Sequence, residues 1–528
     1  MRRSRTAAVP TAAACALLAA LVAPPAGPAQ RERPASPAGP AERERRADGP
    51  ALERFYGQRL RWGDCPDRSA PAAMRCATLT VPLDYADPAK GTLPVAVAKI
   101  PATGSKRLGA VVLNFGGPGA SGITTLAGAH KTFADLAETH DLVTFDPRGV
   151  GRSRPISCGG SLRPQGPVGP DAASQLAALR EVAARCAAHS GPVLPYIGTI
   201  HVSRDLDVLR QALGQRRLDY LGFSYGTRLA AVYATQFPRR TGRMVLDGVD
   251  TLTEPLVEQA LASARGQQQA LDNFLTWCAH QRECVYGSNT RTAKQQVNAL
   301  VDRLDIRPLT GGDGSLVTGR DVTVLIANAL YSRATWPGLA RGLRQAERNG
   351  DPTALLTIGE ASPEAEPSGE HEDEDGHEPP ADNADAALIA VNCADDPDRS
   401  KDRARPEAVE REVEALREQF LKASPIFGPL QLMTVLACYG RPPGTDFIRR
   451  IDRPGAPRML LVGTRGDPAT PYQWTEETAR RLGSAVILDY KGDGHTGYAS
   501  SACVRQRVQD FLTTGRLPAG TQSCPGED

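Results

Sequence analysis

Apolar positions alternate, or form short unbroken runs, over the first half of the chain; helical spacing then takes over, and short apolar runs return near the end. Ala77-Thr-Leu-Thr-Val-Pro-Leu and Leu93-Pro-Val-Ala-Val-Ala-Lys-Ile alternate as half-buried strands do, and their prolines suit an antiparallel hairpin at a sheet edge. Ala110-Val-Val-Leu-Asn predicts the first fully buried strand, and Leu142-Val-Thr-Phe predicts another. Over residues 201–214, Val202, Leu206, Leu209 and Leu213 share one helix face, with Gly214 as the stop. About Ser224 the rhythm changes from strand to helix: Tyr220, Leu221 and Phe223 form a β-prone run, whereas Leu229, Ala230, Tyr233 and Ala234 recur at helical spacing. Arg243-Met-Val-Leu-Asp-Gly-Val predicts the next strand. From residue 254 to 455 strand signals vanish and helical patterns appear at 256–278, 321–331 and 406–421. Strand patterns resume at Arg458-Met-Leu-Leu-Val-Gly and Ala485-Val-Ile-Leu-Asp-Tyr with a helix between them, and a final helix starts near Cys503. Buried strands separated by helices imply an α/β fold with a mostly parallel central sheet. Its core spans residues 51–253 and 456–528, interrupted by a large helical cap at 254–455.

The termini and composition narrow the setting. A basic start at Met1-Arg-Arg-Ser-Arg, an apolar run from Ala7 to Val22 and a small-residue exit make residues 1–29 a secretory signal peptide, cut near Ala26 or Ala29. Cys15 lies inside the apolar run, which favours simple cleavage over a lipid anchor. Residues 30–50 have almost no large apolar side chain, as in a disordered leader or a propeptide. No later stretch is long and apolar enough to span a membrane, so the exported protein has no stable membrane insertion. Net charge is +2, and no basic stripe with interleaved aromatics marks a nucleic-acid surface. Of 11 cysteines, all but Cys15 fall in neighbouring pairs, which in an exported chain predicts disulfides Cys65–Cys76, Cys158–Cys186, Cys278–Cys284, Cys393–Cys438 and Cys503–Cys524. Cysteine and histidine spacings match no zinc pattern, so neither a metal nor a cofactor is expected. The acidic segment 360–385, with His371 and His377, reads as a solvated loop within the cap. Oligomeric state is left open.

The chemistry centres on Gly222-Phe-Ser-Tyr-Gly. Glycines on either side of Ser224 permit the tight strand-to-helix passage that lifts a serine hydroxyl to the tip of a sheet. Such a hydroxyl needs a base, and the base needs an orienting acid. Among eight histidines, His495 alone follows a late strand in a Gly-rich loop, Lys491-Gly-Asp-Gly-His-Thr-Gly. Asp467, after the strand between serine and histidine, is the expected acid; Asp247 and Asp250 are rivals, while Asp489 and Asp493 lie too near His495 in sequence. The resulting order Ser, Asp, His fits an α/β-hydrolase arrangement. Oxyanion donors are expected from the Tyr225 N–H and from Gly117 in Phe115-Gly-Gly-Pro-Gly, with Gly116 or Phe115 as alternatives. That loop lacks the Lys-Ser/Thr ending of a phosphate cradle.

Arg61-Trp-Gly-Asp-Cys, Val81-Pro-Leu-Asp-Tyr, Asn114-Phe-Gly-Gly-Pro-Gly, Asp146-Pro-Arg-Gly-Val-Gly-Arg-Ser, Gly222-Phe-Ser-Tyr-Gly-Thr and the tail from Gly515 to Cys524 carry a family likeness. Over residues 55–524 the sequence resembles the secreted tripeptidyl aminopeptidases of the α/β-hydrolase superfamily, relatives of proline iminopeptidases. The resemblance implies a triad on Ser224, Asp467 and His495, extracellular location, and removal of tripeptides or other short peptides from substrates with a free amino terminus. Asn114-Phe replaces the His-Gly or Asn-Pro opening of many relatives, and the acidic segment is an extra insertion, so the released length stays open. A carboxylic ester hydrolase with the same triad, or a non-catalytic binding protein on this scaffold, are the alternatives. Recognition of a terminal amine calls for a carboxylate, and Asp395 in Ala390-Val-Asn-Cys-Ala-Asp-Asp is the residue expected to supply it, helix capping being its other reading.

Overall fold

A computed structural model describes residues 50–527 apart from 68, 170, 253, 313, 361–377, 397–404, 442–443, 447, 449–450, 453–454 and 519–521. The expected signal peptide (residues 1–29), the expected leader up to residue 49 and most of the acidic segment, including His371 and His377, lie outside the described residues.

In chain order the strands are β1 (Gly63–Asp64), β2 (Arg75–Pro82), β3 (Thr92–Ile100), β4 (Ala110–Asn114), β5 (Asp141–Phe145), β6 (Leu218–Phe223), β7 (Thr241–Asp247), β8 (Leu309–Thr310), β9 (Leu316–Val317), β10 (Met459–Gly466), β11 (Ala485–Asp493) and β12 (Gln522–Cys524). All but β8 and β9 join one sheet of order β1-β2-β3-β5-β4-β6-β7-β10-β11-β12. Pairing is antiparallel from β1 to β5 and parallel from there to β12. The sheet grows from β4 to β5 on one side, then reverses to β6 on the other. Chain connections diverge at that reversal, and in open α/β sheets such a switch point, here at the carboxyl ends of β4 and β6, is where ligands bind.

Strand β4 is buried at every position because sheet neighbours and helices enclose it on all sides. The β2–β3 hairpin differs from the edge predicted by its prolines, since β1 pairs with the start of β2 and β5 covers part of β3. Pro94 avoids a lost ladder bond because β5 pairs only with Val97–Ile100, leaving the β5 side of residue 94 without a partner strand. Five disulfides join Cys65 to Cys76, Cys158 to Cys186, Cys278 to Cys284, Cys393 to Cys438 and Cys503 to Cys524.

Between β7 and β10 the described chain is helical except for the β8–β9 hairpin, whose two-residue strands are too short to produce an alternating pattern. Phe274, Val297, Leu300, Ile326, Trp336, Leu339, Leu343 and Phe427 build a core separate from that of the sheet. One helix of this region behaves differently. Asn383–Asp395 packs Ala386, Ala387, Ala390 and Ala394 into the cluster that contains Val202, Leu206 and Ala230 beside the sheet. Its alanines allow a close approach, and Asn383 fixes its start by accepting from the Gly151 N–H at 2.9 Å and donating to the Gly149 and Ile156 carbonyls.

Candidate active site

Ser224 sits between β6 and the helix Tyr225–Gln236 at φ 54° and ψ −127°, a region an L-residue occupies at a cost of about 1–3 kcal/mol. Surrounding contacts hold it there. Its N–H donates to the Asp247 carbonyl at 3.0 Å, and its carbonyl accepts from the Thr227 N–H and hydroxyl at 2.9 and 2.7 Å. A Cβ on Gly222 would lie 2.6 Å from the Gly226 carbonyl oxygen, and one on Gly226 would lie 2.6 Å from Asn114 Oδ1. Gly222 is therefore required where β6 passes the helix, and Gly226 where the helix meets Asn114 of β4.

Asp467 follows β10 and His495 follows β11. The imidazole Nδ1 stands 2.9 and 3.0 Å from the two carboxylate oxygens of Asp467. The acid is also held by N–H groups of Ala469, Thr470 and Thr496 at 2.9, 2.8 and 3.2 Å, and by the Thr470 hydroxyl at 2.9 Å. Several donors fix the carboxylate's orientation, so it faces one ring nitrogen and leaves Nε2 for other work. From the cap, the Tyr331 carbonyl accepts the His495 N–H at 2.8 Å, and the Tyr331 ring lies 5.1 Å from the imidazole at an interplanar angle of 73°.

The rival acids have other employment. Asp489 binds Arg465 at 2.8 Å and Asp493 binds Asn273 of the cap at 2.7 Å. Asp250 pairs with Arg228 at 3.0 Å. The Asp247 carboxylate meets the histidine loop through its backbone, accepting from Gly497 and Tyr498 at 2.8 and 2.7 Å.

Register brings the Gly-rich loop to the elbow, because Asn114 of β4 pairs with Gly222 of β6. Asn114 Oδ1 accepts from the Gly116 N–H at 3.2 Å, and a Cβ on Gly116 would lie 2.9 Å from Ser224 Cβ and 3.2 Å from the Tyr225 nitrogen. Gly116 is thus the loop residue directly against the serine, with Gly117 next along the chain. Beneath them Phe115 stacks on Phe223 at 5.8 Å, and Phe133 stacks on Tyr498 at 5.2 Å and meets both phenylalanines edge-on. This aromatic plate joins the Gly-rich loop, the end of β6 and the histidine loop into one packed layer.

Asp395 is buried at the end of its helix. It accepts from the Thr199 N–H at 2.8 Å and from the Thr199 hydroxyl, and Arg228 lies 4.0 Å away. Burial pushes its carboxyl above the ordinary carboxylate range, against the pull of Arg228 and Thr199. Asp396 accepts from the Leu256 N–H at 3.2 Å. Both aspartates thus cap helices, those starting at Thr199 and Leu256, rather than their own. The Thr199 hydroxyl also bonds the Tyr225 hydroxyl at 2.5 Å, which connects this charge cluster to the residue after the serine.

Two contributors escaped the sequence reading. Thr470 could have been found, because Asp467-Pro-Ala-Thr is a turn in which an aspartate bonds residues just ahead of it. Tyr331 could not, since its approach to His495 depends on how the cap folds back. Among the described residues no cluster of three or more His, Cys, Asp or Glu side chains could hold a metal ion, and no helix is long and apolar enough to cross a membrane.

Comparison with known proteins adds a family context. The profile described as TAP-like protein matches residues 424–524, and that of the alpha/beta hydrolase fold matches residues 109–362. Serine protease Hip1 of Mycobacterium tuberculosis is 32% identical over 497 residues, spanning 89% of this chain and 91% of that protein. Carboxylesterase B of the same organism is 32% identical over 483 residues, with 88% and 89% covered. Tripeptidyl aminopeptidase of Streptomyces lividans is 31% identical over 492 residues, with 88% and 86% covered.

Proposed function

The chain belongs to the TAP-like family of α/β hydrolases, and from that premise we propose that it is an exported serine exopeptidase releasing tripeptides or other short peptides from free amino termini. The observation that carries the reading is the Asp467–His495 pair on the same sheet edge as a serine held at positive φ. In the proposed reaction Ser224 Oγ attacks the carbonyl carbon while His495 Nε2 takes its proton, and Asp467 stabilises the resulting imidazolium through Nδ1–H. The Tyr225 N–H and the Gly117 N–H, with Phe115 as the alternative, receive the oxyanion, the Gly116 N–H being given to Asn114 Oδ1. Collapse passes the proton to the leaving amine and leaves an acyl-enzyme, which water hydrolyses by the same route in reverse.

Exopeptidase action further requires a contact for the α-ammonium. Asp395 remains our assignment for it. Among the described residues Arg228 faces both Asp250 and Asp395, and an arriving ammonium would set a second cation beside these two carboxyl groups and favour the charged form of Asp395. Export rests on residues 1–29 and on the disulfides, which suit an oxidising compartment.

A fluorophosphonate probe and a mixture of free and N-acetylated peptides test the reading together. We expect the label on Ser224, and short products from free peptides alone. Absence of the label would remove the serine mechanism; equal cleavage of both peptide sets would remove the exopeptidase. A second reading, ester hydrolysis, is favoured by the equal likeness to carboxylesterase B, and turnover confined to small esters would establish it.

A further inference from the structure

We propose that Asp247 is a positioning residue that holds nucleophile and base in one frame: its main chain anchors Ser224 while its carboxylate anchors the loop carrying His495. The inference rests on the hydrolase reading and extends it.

The geometry is that of a hub. Asp247 ends β7, between the strands that deliver the serine and the acid, and in register it pairs with Phe223 of β6 and Val462 of β10. Its carbonyl accepts the Ser224 N–H at 3.0 Å. Its two carboxylate oxygens separately accept the N–H groups of Gly497 and Tyr498 at 2.8 and 2.7 Å, two and three residues beyond His495. The next residue, Gly248, continues the contact, because a Cβ there would lie 3.3 Å from His495 Cε1 and 2.9 Å from Thr496 Cγ2. One residue therefore touches the nucleophile's backbone and, with its neighbour, the base and its loop.

The side-chain type is specific to this task. Two convergent N–H donors need two acceptors, and a carboxylate offers two without a donor. Asparagine would offer one acceptor and turn an NH2 group against the other N–H. The carboxylate is fully buried and no cation pairs with it among the described residues; the groups around it are His495, Asp467 and the Tyr498 phenol. Burial, aided by the like charge of Asp467 and opposed by both N–H bonds and His495, pushes it up to about 6. For an acid raised above its unfolded value, the folded state holds the proton more tightly, so its ionisation lowers stability as pH rises from about 3.8 to about 6. An ionised Asp247 at neutral pH is thus maintained against stability, as expected of a group retained for its effect on the site.

Protonation would turn one oxygen into a donor facing an N–H and loosen the histidine loop. Two protonations, on His495 and on Asp247, should then silence the enzyme. We expect kcat/KM of the full exported chain to fall on the acid side with a slope steeper than one proton. Asp247→Asn should lower kcat at pH 8 at least tenfold with KM changed less than threefold, lower the unfolding midpoint by less than would account for that fall, and show a one-proton acid limb. Unchanged kcat, or a drop in unfolding midpoint that accounts for the lost activity, would overturn the proposal. Should that variant fail to fold, the unmutated protein decides the matter, since a one-proton acid limb there is equally fatal. An unmutated protein with no turnover at any pH would instead defeat the hydrolase reading.

Discussion

Two buried acid–base pairs in this molecule are built alike and serve opposite ends. Asp205 takes a two-pronged contact from Arg148 at 2.6 and 2.7 Å plus the Tyr85 hydroxyl at 2.8 Å, and Arg148 spends its remaining donors on the carbonyls of Pro82, Leu83 and Tyr196. The charges cancel where they stand, and the pair ties the end of β2, the turn ending at Tyr196 and the helix Thr199–Ala212 into a joint. Asp467 is as well furnished with donors, but its side-chain base is an imidazole whose charge depends on pH and on the reaction. A permanent cation makes a buried carboxylate architectural; a base that gains and loses a proton makes the same burial chemical.

Mutation separates the two. Ser224→Ala or His495→Ala should lower kcat by about 10⁶-fold, and Asp467→Asn by about 10⁴-fold, with the unfolding midpoint nearly unchanged. Should Asp250→Asn lose activity while Asp467→Asn keeps it, the acid has been misassigned. Arg148→Met should do the reverse: leaving Asp205 buried without its cation costs about 3–5 kcal/mol by denaturant titration, with turnover per folded molecule retained. Loss of turnover without loss of stability in this variant would break the contrast.

The smallest effect concerns the histidine beside the structural joint. Burial and the charges of Arg148 and Arg204 push His201 down to about 3. A base depressed in the folded state binds its proton mainly when unfolded, so its contribution is full above about 6.5 and is lost as pH falls. Stability should decline as pH falls through the window from about 6.5 to 3, and His201→Gln should flatten that slope. An identical slope in the variant would mean that other groups govern acid unfolding.

Legibility followed the range of the interactions involved. The α/β core could be read because each buried strand is a local apolar run and each following helix has its own face, as in β6 and Tyr225–Gln236. The elbow could be read because its glycines answer a local steric demand. The carboxyl ends of β10 and β11 pointed to Asp467 and His495, since parallel neighbours bring successive loops together. What depended on distant contacts was hidden. Nothing in the sequence around Asp247 tells that its two oxygens serve the histidine loop, or that Tyr331 of the cap reaches His495. Asp395 was read for its charge, and its engagement with Thr199 and Arg228 arises from helices far apart in the chain. The β8–β9 hairpin and the docking of Asn383–Asp395 on the sheet were missed because two-residue strands and alanine-rich helices leave little periodic signal.

The cap is inserted between β7 and β10, which nevertheless lie side by side, with Leu460 opposite Val245. That ordering sets a sequence in time. A chain growing from its amino end carries Ser224 long before Asp467 and His495 exist, and β10 cannot take its place until the whole cap has been made. Until β10 and β11 join β7, the nucleophile is an ordinary alcohol with no base held beside it to deprotonate it. Hydrolytic power would arrive only when the last strands close the sheet, so the reactivity of Ser224 is tied to completion of the fold and not to the elbow alone.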